Sequence, residues 1–358
     1  MNKPLREPYI IETKPLPERY ARGWHCLGKA SSFGSEPTAL NYFGSKWVAF
    51  RGEESGELFV VGSYCPHMGA DLSRGKVCGN SLRCPFHEWS WGGDGVCDDI
   101  PYADRIPPKA VIPSMPVMEE NGLAFVWHDP EGHPPIPEQR PRRNSDYFSG
   151  EWSDWNIAEF TIHSNCRELV DNMADMAHFG PVHYSQVQTF KNIQDGHTYT
   201  QVMSGGHDIL ADEGQGFTSV ATYEGPAYMT TTMVGSMDGR EVTTHLLVSH
   251  VPVNMEEFII RLGVMVKKDP SLSEEENTAL VQAYTQMSVD SFVQDVEIWN
   301  NKVRIDNPLM CDGDGPINML RKWYSQFYMD VADIPDNITA LKEHETRIKY
   351  PHAQAGSE

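Results

Sequence analysis

Cys65-Pro-His67 is followed, sixteen residues on, by Cys84-Pro-Phe-His87. Each half offers one thiolate and one imidazole, and the proline after each cysteine stiffens its loop. Two Cys on one iron and two His on the other is a known ligand set for a [2Fe–2S] cluster. The competing reading is a Cys₂His₂ zinc site. Zinc fingers pair Cys with Cys and His with His, so this spacing fits zinc poorly. A second set follows about ninety residues downstream, in Asn172-x-x-Asp175-x-x-His178 and then His183. Spacings of three keep the first trio near one helical face. Two neutral imidazoles and one carboxylate on one face of Fe(II) leave adjacent positions open for O₂. Spacing alone does not identify the carboxylate. Asp290, Asp295 and Glu297 are candidates, and Asp295 shares a stripe with Phe292, Ile298 and Trp299.

The elements that must carry these residues are legible in outline. Lys46–Phe50, Leu58–Val61, Ser81–Cys84 and Leu123–Trp127 are short β-prone runs bounded by turn residues, as in a small all-β domain. Residues 129–147 contain five prolines and read as a linker. Ser164 is expected to cap a helix through CRELVDNMADMAHF that Gly180-Pro181 ends, returning His183 towards His178. Ser219–Tyr223, His245–Pro252 and Phe258–Val266 read as strands. Ser273-x-x-Glu276 forms a capping box for a helix over about 274–302, with Leu280, Ala283, Met287 and Phe292 near helical spacing. The expected class is α+β: an all-β [2Fe–2S] domain, then a catalytic domain of helices on an antiparallel sheet. The expected boundaries are 1–20 for an N-terminal arm, 21–130 for the cluster domain, 131–150 for the linker and 151–358 for the iron domain.

Composition limits the partners. The chain has 29 basic and 50 acidic residues, a net charge of −21, which disfavours nucleic acid and anionic lipid. No run approaches the ~20 apolar residues of a membrane span. The N-terminus lacks the apolar core of a secretory signal. Seven cysteines in a chain of 358 residues argue against a disulfide framework and for a reducing cytoplasm.

The first constellation resembles a Rieske centre of the oxygenase kind. Respiratory Rieske proteins carry an extra cysteine in each loop, where Ala70 and Phe86 stand here. They also place Ser and Tyr donors on the cluster sulfurs, where this chain has Glu88-Trp89-Ser90-Trp91. Fewer such bonds lower the potential and suit O₂ chemistry.

Both constellations together resemble the Rieske non-haem iron ring-hydroxylating oxygenases. Ala21–Gly28, Asp71–Gly75, Asp99–Tyr102, Cys166–Asn172, Asp295–Trp299, Arg304–Leu309 and Trp323–Tyr328 resemble the oxygenase component of 3-ketosteroid 9α-hydroxylase. The resemblance covers about 20 to 335. It implies monooxygenation of a steroid, a homotrimer, and a separate flavin/iron–sulfur reductase fed by NADH. It selects Asp295 as the third iron ligand beside His178 and His183. It implies that His87 of one chain meets Asp175 of the next, while the Asp175 carboxylate accepts the second N–H of His178. Asn172 and Asp175 are the further candidate catalytic residues. The segments 179–190 and 201–216 depart from the family's version, and both are expected to wall the pocket. Other outcomes at such a site are attack at another steroid position, sterol desaturation and aryl-ether demethylation. A plain electron carrier would not need the second domain. Arg74, Lys76 and Arg83 are candidates for meeting the reductase.

Overall fold

A computed structural model of the chain describes residues 7–207, 216–237 and 239–348. The leading part is all β. Lys76–Cys78, Ser81–Arg83, Ser90–Gly92 and Cys97–Asp99 form one small sheet. Thr38–Tyr42, Ser45–Arg51, Leu58–Gly62 and Ser114–Met115 form a second. Gly23–Lys29 and Val117–Glu120 flank Leu123–His128 in a third. The four β-prone runs read from the sequence fall within these strands, apart from Cys84, which follows its strand. Val48, Phe50, Val61, Leu82 and Trp91 point inward and fill one core.

An antiparallel sheet of eight strands follows. Its spatial order is Asn156–Ile162, Phe258–Val266, Arg240–Pro252, Tyr228–Met237, Phe217–Glu224, Thr198–His207, Ser185–Asp195 and Lys342–Glu345. Consecutive strands pair as hairpins except at the two edges, where chain from far away is added. The helix Glu274–Asn301 lies across one side. Ser273 and Glu276 close the capping box, and Glu274, Glu275 and Glu276 place negative charge at its positive end. Trp299 and Phe292 pack on Ile162, Phe258, Ile260 and Leu262. A large buried side chain of this kind contributes about 1.5–3 kcal/mol. The helical stripe is shifted from the sequence reading: Tyr284 is buried and Ala283 exposed. One long helix on a large antiparallel sheet behind a small all-β unit is the expected α+β class.

The helix expected from Ser164 to Gly180 is not continuous. Arg167–Val170 is α-helical, Asp171–Met173 is a 3-10 turn, and Phe179–His183 is a new short helix. Ser164 does not cap the first piece: the N-cap position is Cys166, without a side-chain cap, and Asn165 Oδ1 just before it accepts from the Arg167 N–H at 3.2 Å. Gly180-Pro181 lies inside the last piece. Pro181 is in its first turn, where an N–H has no intrahelical partner, so proline is tolerated there.

The proline-rich stretch is strapped down. Asn121 holds it, its Oδ1 accepting from the Asn144 N–H at 2.7 Å and its Nδ2 donating to the Arg142 carbonyl at 2.8 Å. Trp24 and Trp127 of the leading part share a core with Trp152, Trp155, Tyr228 and Leu247. Among the described residues no helix is long and apolar enough to cross a membrane.

Candidate metal centres and the cavity beside them

Two tight loops present the first donor set. The Cys65 loop closes through the Cys65 N–H on the Ala70 carbonyl and the Gly69 N–H on the Cys65 carbonyl, at 2.9 and 2.8 Å. The Cys84 loop closes through the Cys84 N–H on the Trp89 carbonyl at 2.8 Å, with Glu88 at φ +61° making the turn. Cys65 and Cys84 are buried and free of disulfides. The rings of His67 and His87 lie 4.6 Å apart, and Trp89 stacks on His67 at 4.7 Å. His67 Nδ1 is buried with no hydrogen-bond partner among the described residues. Burial pushes the Cys65 thiol up, and neighbouring Cys84 adds to that. Two buried sulfurs and an imidazole nitrogen without a partner among the described residues suit a group that accepts both donor types, as a [2Fe–2S] cluster does.

The second set comes from elements far apart in sequence. His178, His183 and Asp295 bring their ligand atoms within 4.8 Å of one another. His183 Nε2 lies 3.1 Å from Asp295 Oδ2, and its Nδ1 lies 3.2 Å from Ser291 Oγ. Asn172 Nδ2 donates to Asp295 Oδ1 at 3.2 Å. Asp290 and Glu297 are exposed; Asp290 accepts from Gln286 and Glu297 from Asn301. Asp295 is thus the acid of the long helix brought to the histidines. Ser291, which sequence reasoning missed, stands one turn before Asp295 on the same face. That spacing was the available signal.

Asp175 sits differently from expectation. The His178 Nδ1–H donates to the Asp175 backbone carbonyl at 2.7 Å, while the carboxylate Oδ2 is 3.7 Å away. Oδ1 accepts from the backbone N–H of Ala177 and His178 at 3.1 and 3.3 Å. The break in the helix is the reason: the two residues do not stand one helical turn apart. The carbonyl fixes the tautomer and leaves His178 Nε2 free for a metal. Burial opposes charge on His178, yet Asp175 and Asp295 together hold its pKa above 6.5.

The broken helix is pinned from outside. Glu168 takes Lys302 and Arg304 at 2.8 and 2.9 Å, and Arg321 grips Asp171 at 2.6 Å. Asp314 accepts from the Met176 N–H at 3.0 Å. Gly315 follows at φ +95°, and a Cβ there would lie 2.1 Å from the Ala174 carbonyl oxygen.

An apolar cavity of about 190 Å³ opens on His178, His183 and Asp295. Met203, Met229, Met233, Leu246 and Val248 line it, with Gln201, Ser219 and Thr231 as polar points. A neighbouring space of about 170 Å³ shares His183 and Asp295. Phe179, His183 and Ser185 come from the segment 179–190. Residues 208–215 of the other segment expected to wall the pocket lie outside the described residues. A larger space, about 430 Å³, lies between the N-terminal arm and Arg167, Arg304 and Arg321, and contains none of the three donors. A third donor group, Asp129, Glu131 and His133, also meets. Glu131 there already holds Arg22 and the Val331 N–H, so it serves as a clamp.

Comparison with known proteins joins both halves. Residues 23–116 match the Rieske [2Fe-2S] domain, and residues 126–328 match the 3-Ketosteroid 9alpha-hydroxylase C-terminal domain. The chain is 43% identical to a 3-ketosteroid-9-alpha-monooxygenase oxygenase component of Rhodococcus rhodochrous, over 94% of this chain and 88% of that one. It is 41% identical to the corresponding protein of Mycobacterium tuberculosis, over 95% and 90%. Cholesterol 7-desaturase of Xenopus laevis is 28% identical over 87% and 73%. The crystal structure of dicamba monooxygenase bound to dicamba shares the fold, with a TM-score of 0.68 at 17% identity over 87% of this chain and 98% of that one. Matched along nearly its whole length, the chain belongs to the 3-ketosteroid-9-alpha-monooxygenase oxygenase-component family, and is a Rieske monooxygenase using a [2Fe–2S] cluster, a mononuclear iron and O₂.

Proposed function

We propose that the chain hydroxylates a 3-ketosteroid, at carbon 9 on the α face, with electrons from a separate NADH-dependent flavin/iron–sulfur reductase. The observation that carries this is the apolar cavity opening on His178, His183 and Asp295, in a chain 43% identical to a 3-ketosteroid-9-alpha-monooxygenase component. Cys65, His67, Cys84 and His87 hold the cluster, and His178, His183 and Asp295 hold the iron. When bound, the two metal groups supply single electrons and O₂ activation. The chain does the rest. Met203, Met229, Met233 and Leu246 give an apolar wall that excludes water and orients rings. The Asp175 carbonyl and Ser291 orient the two imidazoles. Asn172 keeps Asp295 turned towards His183 through its 3.2 Å bond.

The functional unit is proposed as a homotrimer in the cytoplasm, serving steroid degradation. Asp175, one-third exposed at its side chain, would meet His87 of a neighbouring copy and carry the electron path. Arg74 and Lys76 are exposed and face the reductase; Arg83 is tied to Glu88 and Asp99 at 3.6 and 3.5 Å and contributes less. The proposed bounds are 21–130 for the cluster domain and 151–358 for the iron domain, joined by 131–150.

The deciding experiment is turnover of 3-keto-4-ene and 1,4-diene steroids with a surrogate reductase, with products identified by mass spectrometry and NMR. A 9α-alcohol is expected. A new ring double bond, or hydroxylation elsewhere, replaces this assignment; no turnover of either steroid class removes the steroid reading.

A further inference from the structure

Asp129, Glu131 and His133 alternate along the chain just after the strand Leu123–His128. A tight turn brings them together. The Glu131 N–H donates to Asp129 Oδ1 at 2.7 Å, and the Gly132 N–H to the Asp129 carbonyl at 3.0 Å. Gly132 turns the chain at φ +75°, and the Trp127 indole N–H holds the His133 carbonyl at 3.2 Å. One ligand atom from each of the three lies within 4.8 Å of the others. His133 Nδ1 is 3.9 Å from Asp129 Oδ2 and 3.9 Å from Glu131 Oε2. That is too long for a hydrogen bond. Donors held at ~2.1 Å from one tetrahedral zinc ion stand roughly 3.4 Å apart, so a small turn of the imidazole suffices for chelation. A second observation comes from Asp129. Its side chain is only 2% exposed, and Oδ2 is buried with no hydrogen-bond partner among the described residues. The nearby arginines are engaged elsewhere: Arg19 pairs with Asp330, and Arg22 with Glu131 at 3.2 Å. Buried carboxylates are paired with a cation or coordinate a metal.

We propose that Asp129, Glu131 and His133 bind one zinc ion, at a third site apart from the two donor sets that serve the reaction. One imidazole with two carboxylates selects a first-row transition ion over magnesium or calcium, which take oxygen ligands. Glu131 keeps its clamp on Arg22 and the Val331 N–H, because ligating carboxylates are themselves held by hydrogen bonds. The His133 side chain is 57% exposed, so water completes the coordination from outside. None of the cavities described above reaches these residues, and the ion acts as a cross-link. Arg22 also donates to the carbonyls of Met329 and Gln326 at 2.7 and 3.1 Å. Zinc thereby fastens the exit of the all-β part, through Glu131 and Arg22, to the chain at 326–331.

The test is metal analysis of the full chain, replete in iron, after equilibration with zinc chloride and desalting. The wild type should retain one zinc per chain with its iron content unchanged. His133→Ala should retain none, while its iron content and Rieske EPR signal stay at the wild-type level. Competition with a chromophoric chelator should show zinc affinity falling by more than the roughly tenfold that loss of an outer-shell partner costs. Zinc should also raise the thermal midpoint of the wild type and leave that of His133→Ala where it was. His133 is exposed, so its removal leaves the fold intact; Asp129→Asn, which keeps the shape of the buried side chain, should lose zinc in the same way. Three results overturn the proposal: no zinc retained by the wild type, zinc retained at full affinity by His133→Ala, or zinc gained only as iron is lost and abolished by Asp295→Ala.

Discussion

At the scale of single residues, the iron site makes two demands that can be tested separately. In the proposed site Asp295 would supply charge as well as a ligand atom, and its neighbours Asp290 and Glu297 are exposed. Asp295→Ala should lower iron by about one per chain and abolish turnover, leaving the Rieske spectrum intact. Metal analysis beside EPR checks this; full iron content would exclude Asp295 as a ligand. Asp175→Asn asks a different question. The histidine is oriented by the Asp175 backbone carbonyl, which the substitution leaves in place. The variant should therefore retain both metals and a normal cluster spectrum. Single-turnover stopped-flow should show cluster oxidation by O₂ slowed by orders of magnitude if the carboxylate bridges to a neighbour's His87. A wild-type rate ends the bridging role. The candidate donors of both centres could be picked out because the Cys–His and His–His pairs are close in sequence and chemically distinctive. Asp295 was harder to identify: it lies 123 residues from Asn172, its hydrogen-bond partner, and no local rule links them.

At the scale of elements, the break after Met173 decides how Asp175 and His178 are turned. A continuous helix would have turned Asp175 and His178 onto one stripe. The sequence contains good helix formers there, but tertiary clamps override them. Glu168 is the main clamp, joining the helix that leads to Asn172 to the chain just after the helix that bears Asp295. Burial works to raise its pKa, but Lys302 and Arg304 outweigh that and hold it below 4.5. Its stabilisation is therefore fully present above 4.5 and lost as pH falls through the depressed native value. Glu168→Gln should cost about 3 kcal/mol at pH 7, since two cations lose a buried partner. Urea unfolding of both proteins should show that gap narrowing as pH drops through the carboxylate range. A gap independent of pH would mean the clamp acts by packing alone. By contrast, the capping box at Ser273 was readable, because its pattern is local and no long-range contact opposes it.

At the scale of the whole molecule, the two metal-binding parts are built on separate cores but share a third. The two Cys–His loops rest on Leu82 and Trp91, while the helix that carries Asp295 rests on Phe258 and Ile260. Cys84→Ser should erase the Rieske absorbance and EPR signal while the second domain keeps its iron. Loss of both signals would mean that the cluster organises the entire fold. Arg261 is one reason the parts stay in register: it is buried, donates to the Cys26 carbonyl and the Tyr42 hydroxyl at 3.0 and 2.9 Å, and pairs with Glu159 at 2.6 Å. No sequence rule announces such an arginine. The last strand, Lys342–Glu345, has a further consequence. It covers only Lys191–Gln194 of the longer strand Ser185–Asp195, and its sequence is Lys-Glu-His-Glu. A row of unpaired backbone groups at a sheet border recruits other chains, and a short, charged final strand prevents that templating. Deleting 342–345 should leave the iron ligands in place but make the protein self-associate as concentration rises, visible as growing light scattering. The few residues that finish the sheet thus govern how concentrated the enzyme can become before copies begin to stick to one another.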